Sequence, residues 1–255
     1  MILEIKKMRK AFGGLVAVND VDMTIDEGTI HAVIGPNGAG KTTFFNCITS
    51  INPADSGQIL WKGEDIAKLN PHTISAKGIS RTFQNIRLFS YMSTLDNVLV
   101  GTHNLTGGHV FDSFFHTPRF KREEKEMREF GMHLLEKVGL AAKKDEYARN
   151  LPYGEQRKLE IARAMAGKPE ILLLDEPAAG MNSQETTELT DFILKLKDDG
   201  FTILLIEHDM KLVMRLADSI SVIDYGTKIA EGCAQDIQSN ERVIEAYLGK
   251  RRYDQ

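Results

Sequence analysis

Short apolar runs alternate with longer amphipathic ones along most of the chain, and the two periods predict different elements. "TIHAVIG", "ILLLDEP" and "FTILLIEHD" are continuous apolar runs of strand length and predict buried strands of a parallel sheet. "LEIKKMRKAF" alternates and predicts a strand, "ISRTFQN" and "SISVIDYG" predict two more, and "GQILWKGEDI" predicts a strand with a turn. "KTTFFNCITS", "GEQRKLEIARAMAG", "SQETTELTDFILKLKDDG" and "MKLVMRLA" carry helical spacing, Gly200 closing the third, and "ERVIEAYLGK" predicts a last helix. "NPHTISAKG" reads as a short helix with Asn70 as N-cap, Pro71 at the first position and Gly78 ending it.

From Ser93 to about Asn150 the pattern turns helical and charged, notably in "KREEKEMREFGMHLLEKVG", and no buried strand is present. Such a charge run reads as a solvated helix face. Within it "NLTGGHVFDSFFHTP", residues 104–118, predicts a loop rich in turn residues and aromatics. The expectation is one α/β domain over residues 1–255, with residues 86–150 as a helical subdomain inserted in it.

The chain's 255 residues are 42% apolar and 27% charged, enough apolar material for a real core. A net charge of −4 carries no electrostatic footprint for nucleic acid. Cys47 and Cys233 form neither a metal-ligand spacing nor a disulfide framework, which suits a reducing compartment. The start predicts no signal peptide, and no run approaches the roughly 20 apolar residues of a membrane span. Membrane contact is therefore expected only through a partner.

The stretch between the strand "TIHAVIG" and the following helix is "GPNGAGKT": Gly35, Pro36, Asn37, Gly38, Ala39, Gly40, Lys41 and Thr42, with Thr43 next. Glycines let successive backbone N–H groups turn inward, and the helix start aims its positive end at the same point. The spacing predicts a phosphate-binding loop, Lys41 reaching β- and γ-phosphates and Thr42 offering its hydroxyl to Mg²⁺. "ILLLDE" then supplies Asp175 to hold the metal and Glu176 to activate water as a general base. His208 ends the next buried strand. A lone histidine is most often structural, but beside such a loop and Glu176 it is expected to contact the γ-phosphate and orient the water. Gln84, where "RTFQN" meets the helical insert, is within reach of metal or water by its place in the chain. For Phe12 the residues alone leave core packing and stacking on adenine both open. "LPYGEQRKLEIARAM" starts a helix with Tyr153, Gly154 and Glu155, a second anion site that fits a nucleotide held by a neighbouring chain.

Together these residues resemble the ATP-binding cassette ATPases of membrane transporters, along essentially the whole chain. "GPNGAGKT" looks like Walker A, "ILLLDE" like Walker B, Gln84 like the Q-loop glutamine, "LPYGEQ" like the signature motif, "AAGMN" like the D-loop, His208 like the switch histidine and Phe12 like the A-loop aromatic. "EPAAGMNSQET", "IEHDMKLVM", "RTFQNIRLF", "VIEAYLGK" and the insert "SFFHTPRFKREEKE" are most similar to the ATPases of branched-chain amino acid importers. The resemblance implies a P-loop NTPase core, a mixed sheet flanked by helices, with an antiparallel β edge and a helical insert. It implies ATP and Mg²⁺ as cofactors, with Gln84 among the metal ligands and Tyr153, Gly154 and Glu155 at a nucleotide. It implies two permease subunits, an external substrate-binding protein, a second related ATPase in a head-to-tail dimer, and a place on the cytoplasmic face of the cell membrane. Urea uptake, lipid export, a soluble cassette in translation or repair, and a P-loop kinase are the competing readings. The last two expect tandem cassettes or an acceptor site. Two positions depart from the pattern: Pro152 and Tyr153 replace the signature's serine and glycine, and Asn182 replaces the D-loop aspartate. Both changes face the neighbour's nucleotide, so unequal ATP sites are expected.

Overall fold

The computed structural model describes residues 1–105 and 118–248. Most of the loop expected over 104–118 therefore lies outside the described residues. Two sheets meet over one core. Strands β1 (Leu3–Phe12), β2 (Leu15–Ile25), β4 (Ser56–Trp61) and β5 (Glu64–Asp65) form an antiparallel sheet in the order β2-β1-β4-β5. Strands β3 (Ile30–Ile34), β6 (Ile79–Arg81), β7 (Ile171–Asp175), β8 (Thr202–Ile206), β9 (Ser219–Asp224) and β10 (Thr227–Gly232) form a second, in the order β10-β9-β3-β8-β7-β6. Its pairings are parallel except β9 with β10, so the sheet is mixed.

Every residue of β3, β7 and β8 is buried, as continuous apolar runs demand of strands covered on both faces. Alternate side chains serve different cores. Ile171, Leu173, Leu204 and Ile206 pack toward the antiparallel sheet and helix α1 (Lys41–Ile48). Leu172, Leu174, Ile203 and Leu205 pack toward the helical side.

That side holds α3 (Thr94–Gly101), α4 (Pro118–Lys137), α5 (Tyr153–Met165), α6 (Ser183–Asp198) and α7 (Met210–Leu216). Helix α2 (Pro71–Ala76) starts as expected: Asn70 accepts from the Thr73 N–H at 2.9 Å. Helices α8 (Ala234–Gln238) and α9 (Glu241–Leu248) close a third cluster over β9 and β3. β2, β10 and α8 have no counterpart among the sequence expectations. β1 is expected from its alternation, despite a left-handed Lys7; in β2 the pairing with β1 shifts register and Asp20 is left-handed, and this hides the two-residue period there. Glu207, His208 and Asp209 lie past the end of β8, and Asp209 caps α7 by accepting from the Lys211 and Leu212 N–H groups.

Candidate active site

β3 delivers the chain into the loop 35–40, and α1 starts at Lys41 without a side-chain cap. Its first N–H groups are therefore left for an anion. Gly40 has φ 102°, and a Cβ added there would lie 2.1 Å from the Ala17 carbonyl oxygen, so only glycine fits. Lys41 Nζ donates to the carbonyls of Gly35 (2.7 Å) and Pro36 (2.9 Å), which holds the ammonium inside its own loop. Burial pushes that ammonium below its usual pKa, while the charges of Glu176 and Asp175 oppose the shift. Residues 37–43 line a cavity of about 340 Å³ together with Phe12, Val16 and Glu176. Phe12 is half exposed on this cavity rather than packed in the core, with Lys10 Nζ 5.5 Å from its ring centre.

At the neighbouring strand ends, β7 presents Asp175 in a buried ion pair with Arg81 of β6 at 2.7 Å. Arg81 also reaches Asn46 Oδ1 (2.7 Å) on α1 and Thr49 Oγ1 (3.3 Å). This uses one carboxylate oxygen. Asp175 Oδ1 is buried with no partner among the described residues, a free carboxylate acceptor of the kind a cation can use. No cluster of three or more His, Cys, Asp or Glu side chains able to hold a metal occurs among the described residues. A site of this kind fits Mg²⁺, which takes one or two protein ligands and draws the rest from phosphates and water. Asp175 and the hydroxyl of Thr42, beside Lys41 in the first turn of α1, could serve as such ligands.

Glu176 follows in a left-handed conformation, φ 46°, its N–H donating to the Ile206 carbonyl (2.9 Å). Strain of this kind on a non-glycine residue collects at working sites. Gln84 Nε2 donates to Glu176 Oε2 at 2.7 Å, and His208 Nδ1 lies 3.9 Å from the same oxygen. The structure thus brings Gln84, Glu176 and His208 together beside the Lys41 loop. Gln84 meets the carboxylate of Glu176 through its amide nitrogen.

Two residues here were missed from sequence. Arg81 was one basic residue in a short strand. Glu207 is fully buried; it accepts from the Ala178 N–H (2.9 Å) and the His208 N–H (3.2 Å), so one carboxylate ties the 178–182 loop to His208. Burial pushes its carboxyl above the usual range. The available signal was an acid closing an apolar run.

Tyr153, Gly154 and Glu155 do not reach this cavity. They form the start of α5, with Pro152 at the N-cap making no capping bond. Glu155 pairs with Lys143 at 2.7 Å. The Tyr153 hydroxyl is 3.4 Å from Arg157 Nη2, and its ring lies 3.5 Å from where a Cβ on Gly180 would stand. Asn182 caps α6 in a capping box with Glu185. Glu185 in turn covers Gly154, its Oε1 3.0 Å from the position of an added Cβ. Below this, Arg157 is completely buried and donates to the carbonyls of Phe83 and Gln84, both at 2.7 Å, and to Glu160 at 2.8 Å. Glu160 accepts from the Arg87 N–H (3.1 Å), and Arg163 donates to the Arg87 carbonyl (2.6 Å). One face of α5 therefore holds the loop that carries Gln84. In sequence, Arg157, Glu160 and Arg163 are indistinguishable from solvated helix charges.

The cavity can hold a polyanion over Lys41 and the α1 N-terminus, with a carboxylate poised to take a proton from water. Comparisons with known proteins agree. A family model described as ABC transporter matches residues 18–179, and one described as branched-chain amino acid ATP-binding cassette transporter matches residues 227–253. The chain is 47% identical over 250 residues, 98% of each protein, to the high-affinity branched-chain amino acid transport ATP-binding protein BraF of Pseudomonas aeruginosa. It is 44% identical, with the same coverage, to the corresponding protein LivG of Escherichia coli K12. The crystal structure of a nucleotide-free ATP-binding cassette from an ABC transporter superposes with a TM-score of 0.85 at 33% identity, covering 98% of this chain and 99% of that one. An ADP conformation of a cassette superposes equally well, with TM-score 0.85 and 33% identity.

Proposed function

Because the chain belongs to the ATP-binding cassette transporter family, we propose that it is the ATP-hydrolysing subunit of an importer of branched-chain amino acids. The carrying observation is the convergence of Gln84 and His208 on one oxygen of Glu176, beside the Lys41 loop. The names of the relatives support the transported class.

ATP lies with its phosphates over residues 35–43, neutralised by Lys41 and the α1 N-terminus, and its base against Phe12. Thr42, Asp175 and Gln84 would hold Mg²⁺, which would supply positive charge to offset that of the phosphates. Glu176 takes a proton from the water that attacks the γ-phosphorus. The bond from that phosphorus to the β-bridging oxygen breaks, leaving ADP and phosphate. His208 contacts the γ-phosphate and orients the water, and Gln84 holds Glu176 in place.

Residues 86–150 act as an inserted helical subdomain. No described helix is long and apolar enough to cross a membrane, so coupling runs through two permease subunits on the cytoplasmic face, with an external binding protein presenting the substrate. A second, related ATPase chain pairs head to tail, and Tyr153, Gly154 and Glu155 meet the nucleotide it holds. Pro152 and Asn182 make that second site the weaker one, since proline offers neither a hydroxyl nor an N–H.

Glu176→Gln tests the reading. ATP binding should stay within about twofold, while turnover falls at least about a hundredfold. In cells lacking the chain, wild type should restore uptake of labelled leucine and Glu176→Gln should not. Undiminished turnover would remove Glu176 as the base; leucine uptake indifferent to the chain would remove the substrate class.

A further inference from the structure

β9 and β10 are joined by a two-residue turn, with Asp224 paired to Thr227 and Tyr225–Gly226 between them. Both central residues have positive φ, 44° at Tyr225 and 77° at Gly226, the type I′ arrangement. That turn favours Asn-Gly, Asp-Gly or Gly-Gly, and a bulky aromatic at its first central position is strained. Nothing inside the chain offsets the strain by burial, because the Tyr225 side chain is 87% exposed. The turn is nevertheless held firmly. The Gly226 N–H donates to the Ala39 carbonyl in the phosphate loop, and the Gly226 carbonyl accepts from the Asn19 N–H of β2, both at 2.8 Å. Tyr225 therefore has a set place relative to the loop, and it lines the same cavity as Phe12, Val16 and Glu176. Glu176 shares its left-handed backbone. Two strained non-glycine residues thus line one cavity, the pattern that marks a working site.

We propose that Tyr225 is a nucleoside-contacting residue, its ring supplying a second aromatic surface besides Phe12 for the base and ribose of bound ATP. The phosphate end of the cavity is already served by backbone N–H groups and Lys41. The turn instead packs on Ala17 of β2, where a Cβ on Gly226 would lie 2.8 Å from the Ala17 carbonyl oxygen. Tyr225 lines this cavity together with Phe12, Leu15, Val16 and Ala17, apolar residues beside which an aromatic ring face suits a base. The inference rests on reading this cavity as the ATP site.

The test compares wild type, Tyr225→Asn, Tyr225→Phe and Lys41→Ala by calorimetric titration with ATP and with tripolyphosphate, plus the thermal midpoint without ligand. Asparagine is the better turn residue, so Tyr225→Asn should melt about 2 °C higher. It should bind ATP about five- to tenfold more weakly yet bind tripolyphosphate as wild type does. Tyr225→Phe should match wild type throughout. Unchanged ATP affinity in Tyr225→Asn, equal losses for both ligands, or a lower midpoint accompanying the loss would each overturn the proposal. Wild-type ATP affinity in Lys41→Ala would instead overturn the site reading and take the proposal with it.

Discussion

The strand ends and the junction between α5 and the 83–87 loop each bury an arginine against a carboxylate, and the two pairs finish differently. At the strand ends, Arg81 engages one oxygen of Asp175 and leaves Oδ1 buried and unpartnered. At the junction, both Glu160 oxygens are used, by Arg157 and by the Arg87 N–H, and Arg157 also spends itself on two backbone carbonyls. A buried pair that keeps a spare acceptor is open to a ligand. A pair whose two carboxylate oxygens are both taken, with two backbone carbonyls held besides, is a joint that fixes one segment against another, even though Arg157 Nε, like Arg81 Nε, has no partner among the described residues. Here the joint sets the backbone at Gln84, whose side chain then holds Glu176, so the closed pair serves the open one.

The sharpest way to break this contrast is Arg157→Met. It leaves Glu160 with only Arg163, at 3.9 Å, as a charged partner among the described residues and should cost about 3–5 kcal/mol in urea unfolding. Adding Glu160→Met should recover part of that, the remainder being the Phe83 and Gln84 carbonyls and the Arg87 N–H left without these partners. A loss below about 1 kcal/mol would mean the junction is not a joint. His31 supplies a comparison without any ion pair. It is buried in β3 with its Nε2 2.9 Å from Ser221 Oγ, and burial lowers its pKa to about 4 from 6.5. Its folded pKa lies below the unfolded one, so the unfolded chain takes the proton first. Its contribution is whole above pH 6.5 and is lost as pH falls toward 4, roughly 3 kcal/mol in all. The slope of stability between pH 6.5 and about 5.5, above the carboxylate range, should flatten in His31→Gln. The smallest expected effect is the one Asp175→Asn has on the response to magnesium, apart from whatever the loss of its buried pair with Arg81 costs the unliganded fold. Saturating Mg-ATP should raise wild-type stability by about 2–3 kcal/mol. The variant should keep the increment from ATP alone and lose the part, about 1 kcal/mol, that magnesium adds. An undiminished magnesium effect would show that the spare oxygen at Asp175 is not the cation position.

Legibility in the sequence differed between the same two regions. The glycine loop before α1, the acids at the end of β7 and the buried strands could be read directly as positions in the fold, because each depends on neighbours in the chain: a glycine run before a helix, or acids closing an apolar run. Asn70 and Gly78 bounded α2 by the same local logic. β2 and β10 were missed, since irregular register at an antiparallel edge blurs the two-residue period.

Taken alone, the sequence determined the α/β class, the glycine loop between β3 and α1 with the acids at the end of β7, and the family, because those signals are short-range and periodic. Only the tertiary structure decided that Arg157 grips the Gln84 loop, that Glu207 ties Ala178 to His208, that Phe12 lines a cavity instead of the core, and that Tyr225 stands over the same cavity. Each of these joins residues far apart in the chain. Whether a charge or a ring is solvated, saturated or left with a free face depends on what folding brings against it, and no local pattern encodes that.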